Sequence, residues 1–518
     1  MEFTVNEIVL RPGESESLVK KRAAKKLSVP EDEISDIVLT RKSVDARKKG
    51  DILFRCSAII YTGGDKRKEE RIAERRATGG KKIWGRPVVV GAGPCGLYAA
   101  FILAQAGLSP LLLERGKRVE ERAGDIDALK KSGILNKESN ICFGEGGAGA
   151  FSDGKLTARN KSRYNNEVLS LMVENGADPS ILYLAKPHLG TEVVRKVFSG
   201  IRKQAESLGA ETVFGAKLTE VLTKDGEVCG VAYEKDGERL ETATNAVVLA
   251  IGHSARDTIA SLLNCGIVVE KKAFAVGARI EHSREFIDRA QYGSFAGDRD
   301  LGSAEYFVHT QAAGRGVYSF CMCPGGEVVC SATEDGMTAV NGMSYAARNM
   351  ANSNSAIVAT VGLEDIGGGA TGGIELQREI ERAVYDMAGG FGAVCERAAD
   401  FAALSFSGKA SAVSSSYKPY VKYGPLHECF PAYIRDAISG GLKVFDRQIK
   451  GFMSEGLLVG AETRTSSPFR ITREDTMNAA GVKGLYPAGE GAGYAGGIVS
   501  SAIDGLRAAD MILEVYGK

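Results

Sequence analysis

The chain has 518 residues, of which 44% are hydrophobic and 25% charged, with a formal net charge of +1. This composition is that of an ordinary globular protein, and the balance of charge excludes a nucleic-acid signature for the chain as a whole. Ten cysteines are scattered without the density of a disulfide scaffold, and the N-terminus lacks the apolar core of a signal peptide. We therefore expect a reducing, cytoplasmic location.

The first 83 residues are predicted to form a small αβ domain followed by a charged linker. Strands are indicated by FTVNEIVL, DIVLTRKSV and DILFRCSAIIY, and a helix by SLVKKRAAKKL. Residues 1–85 carry 20 basic and 14 acidic side chains, a net charge of +6. Two interpretations stay open: a solvated face on a structural or dimerisation module, and a nucleic-acid-binding surface.

The segment PVVVGAGPCGLYAAFILAQAGLSPLLLERG, residues 87–116, allows three readings: a membrane span, a buried βαβ unit, or the floor of a dinucleotide site. The span is disfavoured by several glycines, by two prolines within the run and by Glu114-Arg115, where a span would have to continue. No membrane association is therefore expected.

The pattern G-x-G-x-x-G occurs three times in residues 1–400, and only its context distinguishes these copies. The first, Gly91/Gly93/Gly96, follows the buried strand Val88–Val90 and opens a helix, with Pro94 and Cys95 between its glycines. A second strand ends in Glu114, where an acid would accept hydrogen bonds from an adenosine ribose, and Arg115 follows it. This copy predicts a dinucleotide site, with the pyrophosphate at the helix N-terminus.

Neither of the other two copies directly follows a predicted strand in the sequence. The middle one, Gly144/Gly146/Gly149, lies in the glycine-rich run GEGGAGAFSDGK, and we expect its Gly146 and Gly147 to join the first site. The third, Gly367/Gly369/Gly372, is interpreted as a loop that leads into a helix N-terminus.

Three further segments identify the dinucleotide by resemblance. Residues 476–512, TMNAAGVKGLYPAGEGAGYAGGIVSSAIDGLRAADMI, resemble the closing motif of glutathione-reductase-like flavoproteins. AVVLAIGHSA (246–255) and TVFGAKLTEVL (212–222) resemble the strands that meet FAD in the same superfamily. The resemblance implies a noncovalent FAD and these further contact residues: Lys217, Ala250, Gly252, Gly489, Glu490, Gly496, Gly497 and Ile498.

A closer resemblance runs over nearly the whole chain. NICFGEGGAGAFSDGKLTARNK, YSFCMCPGGEVV, NGMSYAARNMANSNSAIV and ETRTSSPFRITRE are similar to bacterial FAD-dependent dehydrogenases, a group that generally lacks an assigned substrate. The fold implied is α/β. A Rossmann-like, glutathione-reductase-type FAD domain (84–261 and 471–518) would carry an inserted mixed α+β substrate domain (262–470), behind the small N-terminal αβ domain.

Four side chains are candidates for chemistry at the flavin. Lys155 would meet a phosphate or the flavin N5/O4 edge, or else lie in solvent. Cys321 and Cys323 could form a redox dithiol; the alternative is that the alternating run SFCMC places both on one face of a strand, buried in the core. Arg464 could orient a carboxylate or phosphate substrate, or pair with Glu462 in a boundary loop.

The remaining residues suggest little further chemistry. The five histidines show no metal spacing, so no metal site is predicted, and His253 is read as structural or as an acid-base group. The function predicted is hydride transfer between an unidentified small substrate and flavin N5, with NAD(P)H as a possible transient donor because no second nicotinamide domain is visible. The alternatives are an FAD-dependent RNA-modifying enzyme that uses residues 1–85 and a non-catalytic flavin sensor, with the oligomeric state open.

Overall fold

The computed structural model describes residues 1–67, 72–157 and 162–517. Part of the predicted charged linker and the last four residues of the run NICFGEGGAGAFSDGKLTARNK lie outside these ranges. Among the described residues, no helix combines the length and the apolar character needed to cross a membrane. All ten cysteines are free thiols.

The N-terminal unit is a three-stranded antiparallel sheet, in the order β1-β3-β2, with one helix against it. Alternation of buried and partly exposed residues along β3 shows that one face packs inward, as its period-2 pattern predicts. The buried residues of this sheet belong to the same hydrophobic cluster as those of the largest sheet of the protein. Its elements are β1 (Glu2–Leu10), α1 (Leu18–Leu27), β2 (Ile34–Asp45) and β3 (Leu53–Thr62).

A five-stranded parallel sheet, in the order β23-β11-β5-β6-β7, forms the centre of the next unit. Its central strands β5 and β11 are apolar and buried on both faces, as expected for a parallel sheet covered by helices. In chain order its elements begin with β4 (Lys81–Lys82), β5 (Val88–Val90), α2 (Pro94–Gln105), β6 (Leu111–Glu114), α3 (Val119–Ser132), α4 (Tyr164–Glu174), α5 (Thr191–Ser207) and β7 (Glu211–Phe214).

The run TVFGAKLTEVL, predicted as one strand, is two strands in two different sheets. Gly215 has φ of 68° and separates β7, at the edge of the parallel sheet, from β8 (Ala216–Lys224). A backbone turn of this kind is available to glycine at no steric cost, so the chain changes sheet there. A three-stranded antiparallel sheet follows, built from β8, β9 (Glu227–Lys235) and β10 (Glu238–Ala243), before β11 (Val247–Leu249) and α6 (Arg256–Asn264).

The segment between the two parts of the parallel sheet folds around a seven-stranded sheet, in the order β14-β15-β18-β13-β21-β19-β20. Neighbours are antiparallel except β19 and β20. Its elements are β12 (Val269–Lys271), β13 (Phe274–Ser283), α7 (Arg284–Tyr292), β14 (His309–Ala312), β15 (Arg315–Cys323), β16 (Glu327–Cys330), β17 (Val340–Met343), β18 (Asn352–Val361), α8 (Gly372–Ala388), β19 (Ala393–Arg397), α9 (Ala398–Ala403), β20 (Val421–Tyr423), α10 (Ala432–Gln448), β21 (Leu457–Glu462) and β22 (Phe469–Ile471).

The chain passes between the two sheets through a short antiparallel ladder of β12 with β22. It then adds β23 (Leu485–Pro487) to the parallel sheet and continues into α11 (Ile498–Val515) and β24 (Tyr516–Gly517), which pairs with β4. Helix α11 packs on α2 closely enough that a Cβ at Gly505 would lie 2.0 Å from the carbonyl oxygen of Cys95. The two helices that begin at the predicted site are thus held side by side.

Candidate functional site

A cavity of about 1020 Å³ lies between the parallel sheet and the seven-stranded sheet. Most residues predicted to contact the cofactor or the substrate line it: Gly91, Gly93, Pro94, Cys95, Glu114, Arg115, Gly147, Lys155, Lys217, Ala250, Gly252, Cys321, Arg464, Gly489, Glu490, Gly496, Gly497 and Ile498. Gly96, Gly146 and Cys323 are not in the wall, but each is a close neighbour in sequence of a residue that is.

Another cavity, of about 1220 Å³, contains none of these residues. It lies beside α2 and is bordered by Arg67 and Ile72, on either side of residues outside the described ranges. We therefore assign the site to the cavity between the sheets.

The glycine turn after β5 has the geometry that the first G-x-G-x-x-G copy requires. Gly91 has φ of 100°, and a Cβ there would lie 2.4 Å from the carbonyl oxygen of Ala250. A Cβ at Gly96 would lie 1.8 Å from the carbonyl oxygen of Gly91. Helix α2 then begins at Pro94, which has no N–H to leave unpaired, and the N-terminus of α2 faces the cavity.

Glu114 has a more constrained role than the ribose contact predicted from its position. Its side chain is buried, and its Oε1 accepts hydrogen bonds from the backbone N–H groups of Gly116 (2.8 Å) and Gly144 (2.9 Å). Its Oε2 accepts one from Ala92 (2.7 Å). Since each carboxylate oxygen has two acceptor positions, only Oε2 keeps one for a hydroxyl group. Glu114 therefore joins the two glycine loops as well as lining the cavity.

The middle glycine copy belongs to this site because a fully buried arginine shapes its loop. The guanidinium of Arg122, on α3, donates to four backbone carbonyls, those of Asn140, Ile141, Glu145 and Gly147, at 2.7–2.8 Å. A Cβ at Gly147 would lie 3.1 Å from the Cα of Gly93, so the two glycine loops touch. Burial lowers the pKa of Arg122 to about 10, which leaves the cation intact at neutral pH. Sequence reasoning missed Arg122, because nothing in its neighbourhood in sequence indicates burial.

The third copy, at Gly367, is a loop that leads into α8, as its context predicted. None of its glycines lines the cavity.

A second missed residue, Asp504, holds the turn that precedes α11. Its Oδ2 accepts from the backbone N–H of Gly489 (2.8 Å), and both its oxygens accept from Arg473 (2.8 and 2.9 Å). An acid within the apolar helix sequence SSAIDGLRAADMI was the available signal. Because α11 begins at Ile498 with no acidic residue in its first turn, its N-terminus presents uncompensated N–H groups to the cavity.

Two titratable side chains lie close together where the turn before α11 approaches the loop after β11. The Nδ1 of His253 lies 3.7 Å from Oε1 of Glu490. Burial, together with the nearby charges of Arg464 and Arg256, lowers the pKa of His253 to about 3, so its ring is neutral. Burial raises the pKa of Glu490 to about 7. The buried Nε2 of His253 has no hydrogen-bond partner among the described residues. A polar group of a ligand could supply the missing hydrogen bond.

Arg464 lines the cavity, but its donors are largely committed to a partner that the sequence did not indicate. Its Nε and one terminal nitrogen donate to Glu381 at 3.0 and 2.9 Å, and the other terminal nitrogen donates to Thr333 at 2.7 Å. The alternative pairing with Glu462 is wrong, because Glu462 binds Arg279 at 2.6 Å. Arg464 is therefore held in the wall by these partners. It has fewer free N–H donors for a substrate than the sequence analysis predicted.

The two cysteines of SFCMC do not sit on a regular strand. The ladder between β15 and β18 is interrupted between Phe320 and Cys323, and Cys321 has φ of 44°. Because of this bulge the simple alternation fails: Cys321 lines the cavity and Cys323 is buried behind it. Lys155 is partly buried rather than free in solvent, and its ammonium group donates to Asp153 (2.8 Å) and to the carbonyl of Met322.

Within residues 1–67, 72–157 and 162–517, no three or more His, Cys, Asp or Glu side chains are grouped as metal ligands.

Comparison with known protein families matches three parts of the chain. Residues 273–465 match the family described as FAD-dependent protein, C-terminal domain-like. Residues 89–131 match the NAD(P)-binding Rossmann-like domain, and residues 3–61 match a domain of unknown function. The match at 89–131 covers the glycine turn, α2 and Glu114, and the match at 273–465 covers the opposite wall with Cys321 and Arg464.

Comparison with whole proteins and solved structures gives three further similarities. The chain is 40% identical to an uncharacterized protein of Clostridium beijerinckii, over 100% of this chain and 99% of that one. It is 30% identical to Protein FixC of Salmonella typhi over 37% of this chain and 42% of FixC. A geranylgeranyl bacteriochlorophyll reductase-like structure from Thermoplasma acidophilum aligns with a TM-score of 0.35 at 14% identity, over 83% of this chain and 77% of that one.

These comparisons confirm three sequence predictions: a family of FAD-dependent oxidoreductases, FAD as the cofactor, and a Rossmann-like nucleotide-binding fold within a mixed α/β protein. The finer resemblance to glutathione-reductase-like flavoproteins is not confirmed by them and stays a prediction. They lend no support to the RNA-modifying or sensor alternatives.

Proposed function

The chain belongs to a family of FAD-dependent oxidoreductases, and we propose that it transfers a hydride between a small substrate and N5 of a noncovalently bound FAD. One observation carries this proposal. A single cavity brings the glycine turn after β5 and the N-terminus of α11 opposite polar side chains of the seven-stranded sheet unit. A cofactor on the first wall would therefore face a substrate on the second.

The residues present fit an extended dinucleotide. The N-termini of α2 and α11 both face the cavity, and neither has an acidic residue in its first turn to oppose an anionic ligand. We assign the pyrophosphate to the first helix, the ribose hydroxyl to the remaining acceptor position on Glu114, and a polar edge of the cofactor to Nε2 of His253. When bound, FAD would supply a two-electron acceptor or donor at its N5 atom.

The chain's own contribution is to position and to stabilise charge. Lys155 and Arg464 bring two cations to the cavity wall, each paired with a buried carboxylate, at Asp153 and Glu381 respectively. Each carboxylate is shared with a second arginine, Asp153 with Arg348 and Glu381 with Arg256, so Lys155 and Arg464 are not fully neutralised by their partners. We propose that they hold a substrate or reduced cofactor that carries one negative charge.

Aromatic side chains indicate the character of the substrate. Phe307, Tyr318 and Phe320 all line the cavity, and Phe307 is 60% exposed at its edge. An exposed phenylalanine beside a cavity gains stability when an apolar surface covers it. We therefore propose a substrate with an apolar or aromatic part, bound in the cytoplasm.

We propose that the electron donor binds transiently and has no permanent site of its own. Among the described residues there is one parallel sheet of the dinucleotide-binding kind, so a nicotinamide nucleotide would have to dock over the flavin. The Methanocella arvoryzae protein named digeranylgeranylglycerophospholipid reductase matches only 32% of this chain. We therefore do not carry the substrate of that protein over to this one.

The test is an anaerobic titration of the purified, flavin-loaded protein, first with NADPH and then with NADH. Rapid loss of the flavin absorbance would make the protein a nicotinamide-fed reductase. Slow loss with both nucleotides, but rapid loss with the small-molecule filtrate of a cell lysate, would make it a dehydrogenase reduced by its own substrate. A flavin band that none of these donors bleaches would contradict the proposal and favour a sensor.

A further inference from the structure

The segment Cys321-Met322-Cys323 has a geometry that regular strand structure does not give. Residues two apart in an extended strand are separated by about 6.6 Å, which is too far for their thiols to share a hydrogen bond. The ladder breaks after Phe320 and Cys321 has a left-handed backbone, so this segment does not follow the extended geometry. The Sγ of Cys323 donates a hydrogen bond to the carbonyl oxygen of Cys321 at 3.3 Å, which folds the Cys323 side chain back toward Cys321.

Two cations fix this segment from opposite sides. Lys155 donates to the carbonyl of Met322, the residue between the two cysteines. Arg279, which is fully buried, donates to the carbonyl of Cys321 at 2.8 Å and lies 4.0 Å from Cys323 Sγ. A thiolate is stabilised by neighbouring Lys and Arg side chains, so this is an environment in which one of the two thiols is ionised.

The charge distribution identifies Cys321 as the ionised member. The neighbouring Cys323 thiol and the charges of Lys155 and Arg279 lower the pKa of the Cys321 thiol against the opposing effect of burial. The neighbouring Cys321 raises the pKa of Cys323, which keeps its proton and donates it to the carbonyl of Cys321. Cys321 lines the cavity while Cys323 is buried behind it. The reactive sulfur is thus the one that faces the ligand.

From this arrangement we propose that Cys321 and Cys323 are a redox-active dithiol that exchanges two electrons with the flavin bound in the same cavity. The proposal rests on the proposed function, since it needs the flavin. In the oxidising direction an S–S bond forms between the two Sγ atoms and the S–H bond of Cys323 breaks. The thiolate and thiol lose two electrons and one proton, and the oxidised flavin accepts both electrons and that proton. The reverse step cleaves the disulfide and returns the pair to thiolate and thiol.

The remaining cysteines provide a matched control. Cys265 is partly exposed, like Cys321, but it lies at the end of α6 and does not line the cavity. A Cys265→Ser variant therefore removes one accessible thiol without touching the pair. A Cys323→Ser variant keeps the Cys321 thiol in the cavity and removes its partner.

The experiment counts electrons and thiols on the same flavin-loaded sample. The protein is oxidised with diamide, desalted and titrated anaerobically with dithionite. We expect wild type and Cys265→Ser to take up two two-electron equivalents per flavin, and Cys323→Ser to take up one. Alkylation of the denatured protein followed by fragment mass spectrometry should find Cys321 and Cys323 unlabelled before reduction and both labelled after it, with Cys330 labelled in both samples.

Two results would overturn the inference in distinguishable ways. One equivalent per flavin in wild type, with both thiols alkylated after diamide, would refute the dithiol and leave the flavin function standing. Absence of bound flavin would refute the proposed function and the dithiol with it. Should Cys323→Ser fail to bind flavin, the alkylation of wild type alone still decides whether the disulfide forms.

Discussion

The two walls of the cavity are built by different means. The wall on the parallel sheet is made of backbone: Gly91, Gly147 and Gly489 lie in it, and three loops approach within contact of one another. The opposite wall is made of side chains in buried ion pairs, Arg279 with Glu462 and Arg464 with Glu381. The first wall suits a cofactor bound through its phosphates, and the second suits a substrate bound through side-chain contacts.

This difference between a backbone wall and a side-chain wall also explains which of the two could be predicted from the sequence. Glycine spacing is dictated by local backbone geometry, so G-x-G-x-x-G after an apolar strand predicts the turn, the helix and the acid at Glu114 together. Arg279 and Glu462 are 183 residues apart in sequence, and neither has a neighbour that indicates the other. Pairing over such a distance depends on the register of β13 with β21, which no local pattern specifies.

Local patterns misled in two places where the backbone departs from regular strand. Gly215 ends β7 and lets the chain enter another sheet, although TVFGAKLTEVL has continuous strand character. The bulge at Cys321 turns an apparent core strand into part of the cavity wall. At Gly215 the glycine itself permits the positive φ, whereas at Cys321 no residue type in the run indicates one.

The largest expected effect separates two glycines that occupy the same place in two copies of one pattern. Gly91→Ala introduces a Cβ 2.4 Å from a carbonyl oxygen at a φ of 100°, whereas Gly367→Ala meets nothing within 4 Å. Strain of about 1–3 kcal/mol in the turn should lower the affinity for FAD by about 5- to 150-fold in Gly91→Ala. Flavin absorbance per chain after gel filtration measures it. Equal FAD retention in both variants would show that the backbone wall does not hold the cofactor.

A smaller effect, on stability, comes from the buried arginine behind the glycine wall. Arg122→Met preserves the apolar stem but leaves four buried carbonyls without their donor, which should cost about 3 kcal/mol or more in the free energy of unfolding. Lys131→Met, on the same helix but 76% exposed, should change it by less than about 0.5 kcal/mol. Urea unfolding at fixed FAD concentration gives both values. A similar midpoint for the two variants would contradict the structural role of Arg122.

The smallest effect concerns the pH dependence of FAD binding. Since burial raises the pKa of Glu490 to about 7, this carboxyl is neutral below pH 7 and ionised above it, where it opposes an anionic cofactor. The affinity for FAD should therefore fall by up to about tenfold per pH unit above 7. Glu490→Gln should abolish this fall, and Glu364→Gln, exposed and outside the cavity wall, should retain it. Fluorescence quenching of added FAD between pH 6 and 8 is the measurement, and a fall that persists in Glu490→Gln would assign it to another group.

The central claim is that the cavity between the two sheets holds a noncovalent FAD. It is tested most directly by acid precipitation of the purified protein, with chromatography and absorbance of the released supernatant. The account predicts FAD, one per chain, free in the supernatant and absent from the pellet. A colourless protein that takes up no flavin even when FAD is added back would contradict it.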